Sequence, residues 1–84
     1  MVVALSGAKM PSQQWWVEHG CEIKEVFSGC FLVKLPSNAQ IFFPDDYDLG
    51  SFSIIFDNGS IIGVFWNPDV CQVSCELIKD ASKE

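Results

Sequence analysis

The sequence predicts a β-rich α+β domain, in which a twisted antiparallel sheet of five or six strands, or a partly open small barrel, carries one short N-terminal helix. Two observations support this class. Short apolar segments of strand length are separated by Gly, Pro, Ser and Asn, which are typical of turns. One segment, PSQQWWVEHG, has instead the start and stop signals of a helix. The length of 84 residues predicts a single domain over 1–84.

The N-terminal part predicts one strand and the helix. Residues 2–5 form a short apolar segment. Ser12 is suited to cap a helix, and Gly20 tolerates the left-handed conformation that follows a helix end. Because so short a helix is unstable alone, it must dock on the rest of the domain. Trp15 and Trp16 would lie together on its docking side.

The middle of the chain predicts three further strands, at residues 21–27, 30–35 and 41–43. A Ser-Gly turn separates the first two strands, and Pro44 ends the third. The next segment, DDYDLG at 45–50, predicts an exposed acidic loop.

The Asn-Gly pair at 58–59 predicts a β-hairpin between strands 51–57 and 60–66. If these two residues form the loop of a type I′ turn, Phe56 lies opposite Ile61. This register places the apolar residues on two opposite faces. One face holds Phe52, Ile54, Phe56, Ile61, Gly63 and Phe65, and the other holds Ile55, Ile62, Val64 and Trp66.

Both faces of this hairpin are too apolar to be left in water. At roughly 25 cal/mol per Å² of apolar area, exposing four large side chains forfeits several kcal/mol, a large share of a small domain's stability. The helix that carries Trp15 and Trp16 could cover one face, or a second copy or another protein could cover it. Since one short helix cannot hide both faces, the sequence predicts a dimer or a binding partner.

The C-terminal segment 70–78 fits two structures. The alternation in CQVSCEL predicts a strand with Cys71, Val73, Cys75 and Leu77 inward. The preceding Asn-Pro pair is instead a good helix start. The valine and cysteine content favours the strand, and the helix stays open.

The four cysteines and the single histidine do not form a strong metal motif. A zinc site usually contains a paired C-x₂-C element, which this chain lacks. The acidic loop at 45–50 does not have the EF-hand spacing for calcium. We therefore predict reduced, mostly buried thiols, with no metal and no cofactor. A Cys–His enzyme would also need an oxyanion hole and a cleft, so no catalytic residues are predicted.

The charge distribution excludes several classes of partner. The net charge is −6, and the five positive side chains are all dispersed lysines with no arginine. Nucleic-acid binding needs a concentrated basic footprint, so it is not expected. No apolar segment approaches the length of a membrane span, and the start of the chain does not resemble an export signal. We therefore expect a cytoplasmic protein that does not bind membranes.

These features predict a small, acidic, non-enzymatic protein-interaction module. It would bind and mask or regulate a macromolecular partner, as an inhibitor or an immunity protein does, and homodimerisation is one route. The expected partner is a protein with a basic surface. The predicted partner-binding residues are Asp45, Asp46, Tyr47, Asp48, Ile55, Ile62, Val64 and Trp66. The alternatives are a small-ligand-binding module whose aromatic pocket is lined by Trp15 and Trp16 and, less favoured, a Cys/His metal-binding protein.

Overall fold

A computed structural model describes residues 1–7, 9–44, 51–67 and 72–81. Within these ranges it contains seven strands and one short helix. In chain order these are β1 Val2–Ser6, α1 Gln13–Glu18, β2 Glu22–Phe27, β3 Cys30–Lys34, β4 Gln40–Phe42, β5 Phe52–Ile55, β6 Ile61–Asn67 and β7 Gln72–Lys79. The β-rich α+β class is confirmed, and the strand count exceeds the predicted five or six.

The seven strands form one open sheet in the order β2-β3-β1-β7-β6-β5-β4. Five of the six neighbouring strand pairs are antiparallel, but β1 and β7 pair in parallel at Ser6 and Ser74. The sheet is therefore mixed, and the predictions of a wholly antiparallel sheet and of a barrel are wrong. The first and last strands meet at the centre of the sheet, which local sequence signals do not encode.

Helix α1 forms at the predicted position. The Ser12 side chain accepts a hydrogen bond from the backbone N–H of Trp15, and Gly20 follows the helix with a φ of 85°. The helix packs on one face of the sheet, which we call the inner face; the opposite face is the outer face. Trp16 is completely buried there, and its ring makes an edge contact with Phe56 at a centroid distance of 6.2 Å.

The predicted hairpin forms, but its register differs from the predicted one by one residue. Ile54 lies opposite Ile62. The loop has three residues instead of two, because Phe56 N–H donates to the Ser60 carbonyl and Gly59 N–H donates to the Phe56 carbonyl. Gly59 has a φ of 93°, the left-handed conformation expected at the end of such a loop.

The side chain of Asn58 explains why the longer loop is stable. Its Oδ1 accepts a hydrogen bond from the backbone N–H of Ser60 at 3.0 Å. Such a bond between an Asn side chain and the backbone two residues later is a common turn-stabilising contact. This bond favours the three-residue loop. From the sequence alone, the Asn-Gly pair is equally suited to a two-residue loop.

Because side chains alternate along a strand, the one-residue shift moves each side chain of β6 to the face opposite the predicted one, relative to β5. Ile62 and Val64, predicted for the spare face, lie on the inner face and are 0% and 1% exposed. Ile61 and Phe65, predicted for the opposite side, now share the outer face with Ile55. The predicted division of the hairpin into faces is therefore wrong.

The inner face and α1 enclose one core, to which both halves of the sheet contribute. Its buried members are Leu5, Trp16, Cys21, Val33, Leu35, Ile54, Phe56, Ile62, Val64 and Cys75. The strand prediction for the C-terminal segment is confirmed by β7, in which Leu77 lies opposite Ile62. The predicted inward position of Cys71 lies outside the described residues.

Candidate functional site

The outer face of β4–β7 carries a group of apolar side chains that the helix does not cover. We define the outer patch as Phe42, Ile55, Ile61, Phe65 and Ile78. Phe42, Phe65 and Ile78 keep 56%, 40% and 57% of their surface exposed, while Ile55 and Ile61 are half-buried. Alternation along a strand normally directs apolar side chains to the covered face and polar ones to water, so these five apolar side chains on the uncovered face are typical of a binding surface.

Gly63 shapes the centre of the outer patch. A Cβ placed on Gly63 would lie only 2.7 Å from Ile78 Cδ1 and 3.0 Å from Phe65 Cζ. The two side chains therefore close over the glycine. Ile78 reaches this position because β7 is irregular here: Ile62 lies opposite Leu77, whereas Ile61 lies opposite Lys79, which leaves Ile78 as an extra residue.

A second apolar area lies on the outer face of β1–β3. A shallow groove of about 190 Å³ is lined there by Val2, Glu22, Ile23, Lys24, Leu32 and Lys34. Val2 and Leu32 are both exposed. The outer face therefore presents apolar side chains on both halves of the sheet, each bordered by lysine.

The charges of the described residues are unevenly distributed over the two faces. Lys24, Lys34 and Lys79 occupy outer-face positions by register, and Lys9 joins them through an ion pair of 3.4 Å with Glu76. On the helix side, Glu18, Asp57 and His19 line a shallow cleft of about 240 Å³ between α1 and the hairpin loop. A protein with a net charge of −6 thus has a lysine-rich outer face.

His19 forms the centre of a polar cluster on the helix side. Its Nδ1 donates to the Trp15 carbonyl at 2.8 Å, because a carbonyl can only accept. The Nε2 atom must then be the acceptor, and it receives hydrogen bonds from Asn58 Nδ2 at 3.2 Å and from Ser60 Oγ at 3.3 Å. Ser60 Oγ in turn accepts from the backbone N–H of Ala81 at 3.1 Å. Sequence reasoning missed this cluster, because its members are far apart in the chain.

The cluster is arranged to hold structure together rather than to perform catalysis. A serine hydroxyl bonded to a histidine nitrogen is the arrangement of a nucleophile and its base. However, Ser60 is completely buried and is not among the residues that line the neighbouring cleft. The cluster instead connects α1, the hairpin loop and the end of β7.

The two tryptophans predicted to line a ligand pocket take structural positions. The Trp15 ring stacks on His19 at a centroid distance of 3.7 Å and makes an edge contact with Phe56. Trp16 lies in the core. Neither tryptophan lines the cleft beside His19, whose aromatic side chains are His19 and Phe56. The small-ligand function stays a prediction.

The predicted partner-binding residues are separated in the structure. Ile55 belongs to the outer patch, whereas Ile62 and Val64 are in the core of the single chain and are not accessible to a partner. Trp66 is 40% exposed but lies in the same row as Ile62 and Val64, opposite Val73. The acidic loop at 45–48 lies outside the described residues. The outer patch therefore retains one of the predicted residues and adds four others.

Three of the four cysteines are described, and all three are free: Cys21, Cys30 and Cys75. Burial raises the pKa of Cys21 and of Cys75 to about 11. Both are therefore neutral thiols at neutral pH, and the thiol form is a poor nucleophile and metal ligand. Among the described residues, no group of three or more His, Cys, Asp or Glu side chains is placed to hold a metal ion.

In the same part of the chain, no helix has the length and apolar character needed to cross a bilayer. The chain matches no protein-family model, and comparisons with curated proteins and with solved structures find no significant match. The fold and the site therefore define only a class: a small, sheet-rich α+β protein with a helix on one face and an open apolar surface on the other.

Proposed function

We propose that this protein is a non-enzymatic interaction module, which binds a macromolecular partner through the outer face of its sheet and so masks or regulates that partner. The observation that supports this proposal is the outer patch. Helix α1 covers only the inner face, while Phe42, Phe65 and Ile78 stay exposed together on the outer one. Large exposed apolar patches on small domains commonly mark interaction sites.

The size of the outer patch is consistent with the centre of an interface. A fully exposed large side chain presents roughly 150–250 Å², so three side chains that are about half exposed contribute about 300 Å². This value matches the largest patches of typical monomers, which are often functional. A standard interface buries about 800 Å² on each partner. The neighbouring polar residues of the outer face would supply the rest as a rim.

Two sequence predictions about the partner remain part of the proposal. The acidic loop at 45–48 would meet a basic surface of the partner, and a second copy of the chain could be the partner itself. Neither idea needs catalysis, a metal or a cofactor. A cytoplasmic location agrees with reduced thiols at Cys21, Cys30 and Cys75.

Site-specific photo-crosslinking in the cells that produce the protein tests the proposal. The photoreactive residue p-benzoylphenylalanine replaces Phe65 in the outer patch. In a control variant it replaces Val17, which is 59% exposed on α1 and equally apolar. We expect a discrete crosslinked product from position 65 and none from position 17. The mass of the product distinguishes a second copy from a different protein.

The proposal fails if position 65 gives no product, or if positions 65 and 17 give the same products in similar yield. Both variants must fold for this comparison. Their near-wild-type circular dichroism spectra and melting temperatures provide that check.

A further inference from the structure

We propose that the segment bound by the outer face is acidic as well as apolar: a protein segment in which hydrophobic side chains alternate with Asp or Glu. This inference rests on the proposed function and specifies the partner's chemistry. It concerns the outer face alone and is independent of the acidic loop at 45–48. The described charges of the outer face support it.

The described outer face carries a positive charge although the whole chain is acidic. Its charged side chains are Lys9, Lys24, Lys34 and Lys79 against Glu22 and Glu76. Four lysines and two glutamates give a local formal charge of +2, compared with −6 for the chain. Opposite charges across an interface accelerate encounter and select the partner, so this face favours a negative one.

Both glutamates of this face are already paired within the chain. Glu22 lies 3.8 Å from Lys34, and Glu76 lies 3.4 Å from Lys9. Lys24 and Lys79 have no ion pair with any described residue. These two ammonium groups are available to carboxylates of a partner.

The two available lysines lie directly beside the apolar areas. Lys79 is the register partner of Ile61 in the outer patch, and Lys24 is the register partner of Leu32 in the groove of β1–β3. A partner segment that covers either apolar area would therefore bring its neighbouring polar side chains to a lysine. Acidic side chains would be paired at those positions, and basic ones would be repelled.

Other occupants of this face match its chemistry less well. Two copies placed with their outer faces together would oppose two surfaces whose described residues carry the same charge of +2. Phosphate groups of a bilayer or a nucleic acid are best held by the bidentate guanidinium of arginine, which this chain does not contain. An apolar, carboxylate-bearing protein segment satisfies both the exposed side chains and the two lysines that have no ion pair among the described residues.

Nuclear magnetic resonance with two model peptides tests the inference. The peptides share one amphipathic leucine pattern, and their polar positions are all Glu in one and all Lys in the other. Each is titrated into the full-length ¹⁵N-labelled protein. We expect the Glu peptide to shift the amide signals of β6 and β7 around the outer patch, and the Lys peptide to leave them unchanged.

Charge-reversal variants assign the effect to the lysines. Lys79→Glu changes the outer-face charge by −2 and should weaken binding of the Glu peptide by about 3–10-fold. The control Gln13→Glu/Gln14→Glu makes the same change of charge on α1, where both residues are exposed. It should leave the affinity within about twofold, since the charges lie on the opposite side of the sheet.

The other outcomes have defined meanings. If the Lys peptide binds the outer face instead, the acidic-partner inference is wrong while the proposed function stands. If neither peptide binds up to about 1 mM, the inference is also wrong, and the crosslinking result at Phe65 decides the proposed function separately. Tighter binding to phosphatidylserine vesicles than to the Glu peptide would overturn the inference and identify lipid as the occupant of the outer face. Concentration-dependent broadening of outer-patch signals without peptide would overturn it and identify a second copy of the chain.

Discussion

Replacing Ser60 by alanine tests whether the polar cluster around His19 holds the molecule together. The Ser60 hydroxyl is completely buried, donates to His19 Nε2 and accepts from the backbone N–H of Ala81. Alanine fits the same space but leaves the Ala81 N–H without this acceptor. The substitution removes two hydrogen bonds and leaves this partly buried donor without its acceptor, so we expect Ser60→Ala to lower the free energy of unfolding by about 1–3 kcal/mol.

This loss is large for a chain of this size. A domain of 84 residues has a total stability of roughly 4–13 kcal/mol, and each 1 kcal/mol corresponds to about 4–8 °C in melting temperature. Urea denaturation followed by tryptophan fluorescence measures the change directly. The stacked Trp15–His19 pair lies beside the substitution, so its fluorescence reports local changes as well.

Ser53→Ala is the matched control, because it removes the same hydroxyl from a neighbouring strand. Ser53 lies on the outer face, and its side chain has no hydrogen bond to a described residue. We expect this variant to stay within about 0.5 kcal/mol of the wild type. If Ser60→Ala is as mild as Ser53→Ala, with an unchanged denaturant slope, the cluster does not stabilise the fold and our reasoning is refuted.

The buried thiols predict a loss of stability at alkaline pH. The pKa of Cys21 and of Cys75 is raised from 9.0 to about 11 in the folded protein. As the pH rises, the unfolded chain therefore loses these protons before the folded one does. The free energy of unfolding should fall between about pH 9 and about pH 11, by roughly 2 kcal/mol per thiol. Denaturation curves of Cys21→Ala/Cys75→Ala should be flatter over that interval, and an equally steep fall in the double variant would contradict this origin. Gly59→Ala should cost about 1 kcal/mol, because alanine disfavours the φ of 93° at this position. Gly29→Ala, at a φ of 76° with no atom within 4 Å of the added Cβ, should cost a similar amount in the same assay; a far larger loss at Gly59 would show that loop packing matters as well.

Local signals were sufficient for the helix and for most strand positions. Ser12 caps α1, and Gly20 follows it, through bonds that reach only a few residues along the chain. The alternating pattern of the C-terminal segment likewise predicted β7, since side-chain alternation is a property of the segment itself. The parallel pairing of Ser6 with Ser74 has no such signal, because it joins opposite ends of the chain.

The candidate surface depended on one register that the sequence left ambiguous. Asn-Gly suits both a two-residue and a three-residue hairpin loop, and the bond from Ser60 N–H to Asn58 Oδ1 accompanies the longer one. The one-residue difference in loop length decides whether Val64 or Phe65 faces the core. The sequence prediction therefore named Ile62 and Val64 for the spare face, where the structure places Ile61 and Phe65.

The sequence alone determined that the hairpin is apolar on both sides and that one short helix is available to cover it, since composition and alternation are local properties. Which side the helix covers was decided only in the tertiary structure, where Trp16 packs on Phe56 in the shared core. The same long-range packing brings Lys24 and Lys79, distant in the chain, onto the uncovered face. The physical reason is that the free energy gained by burying apolar surface depends on how all strands and the helix pack together, so no single segment of the sequence determines which face is covered.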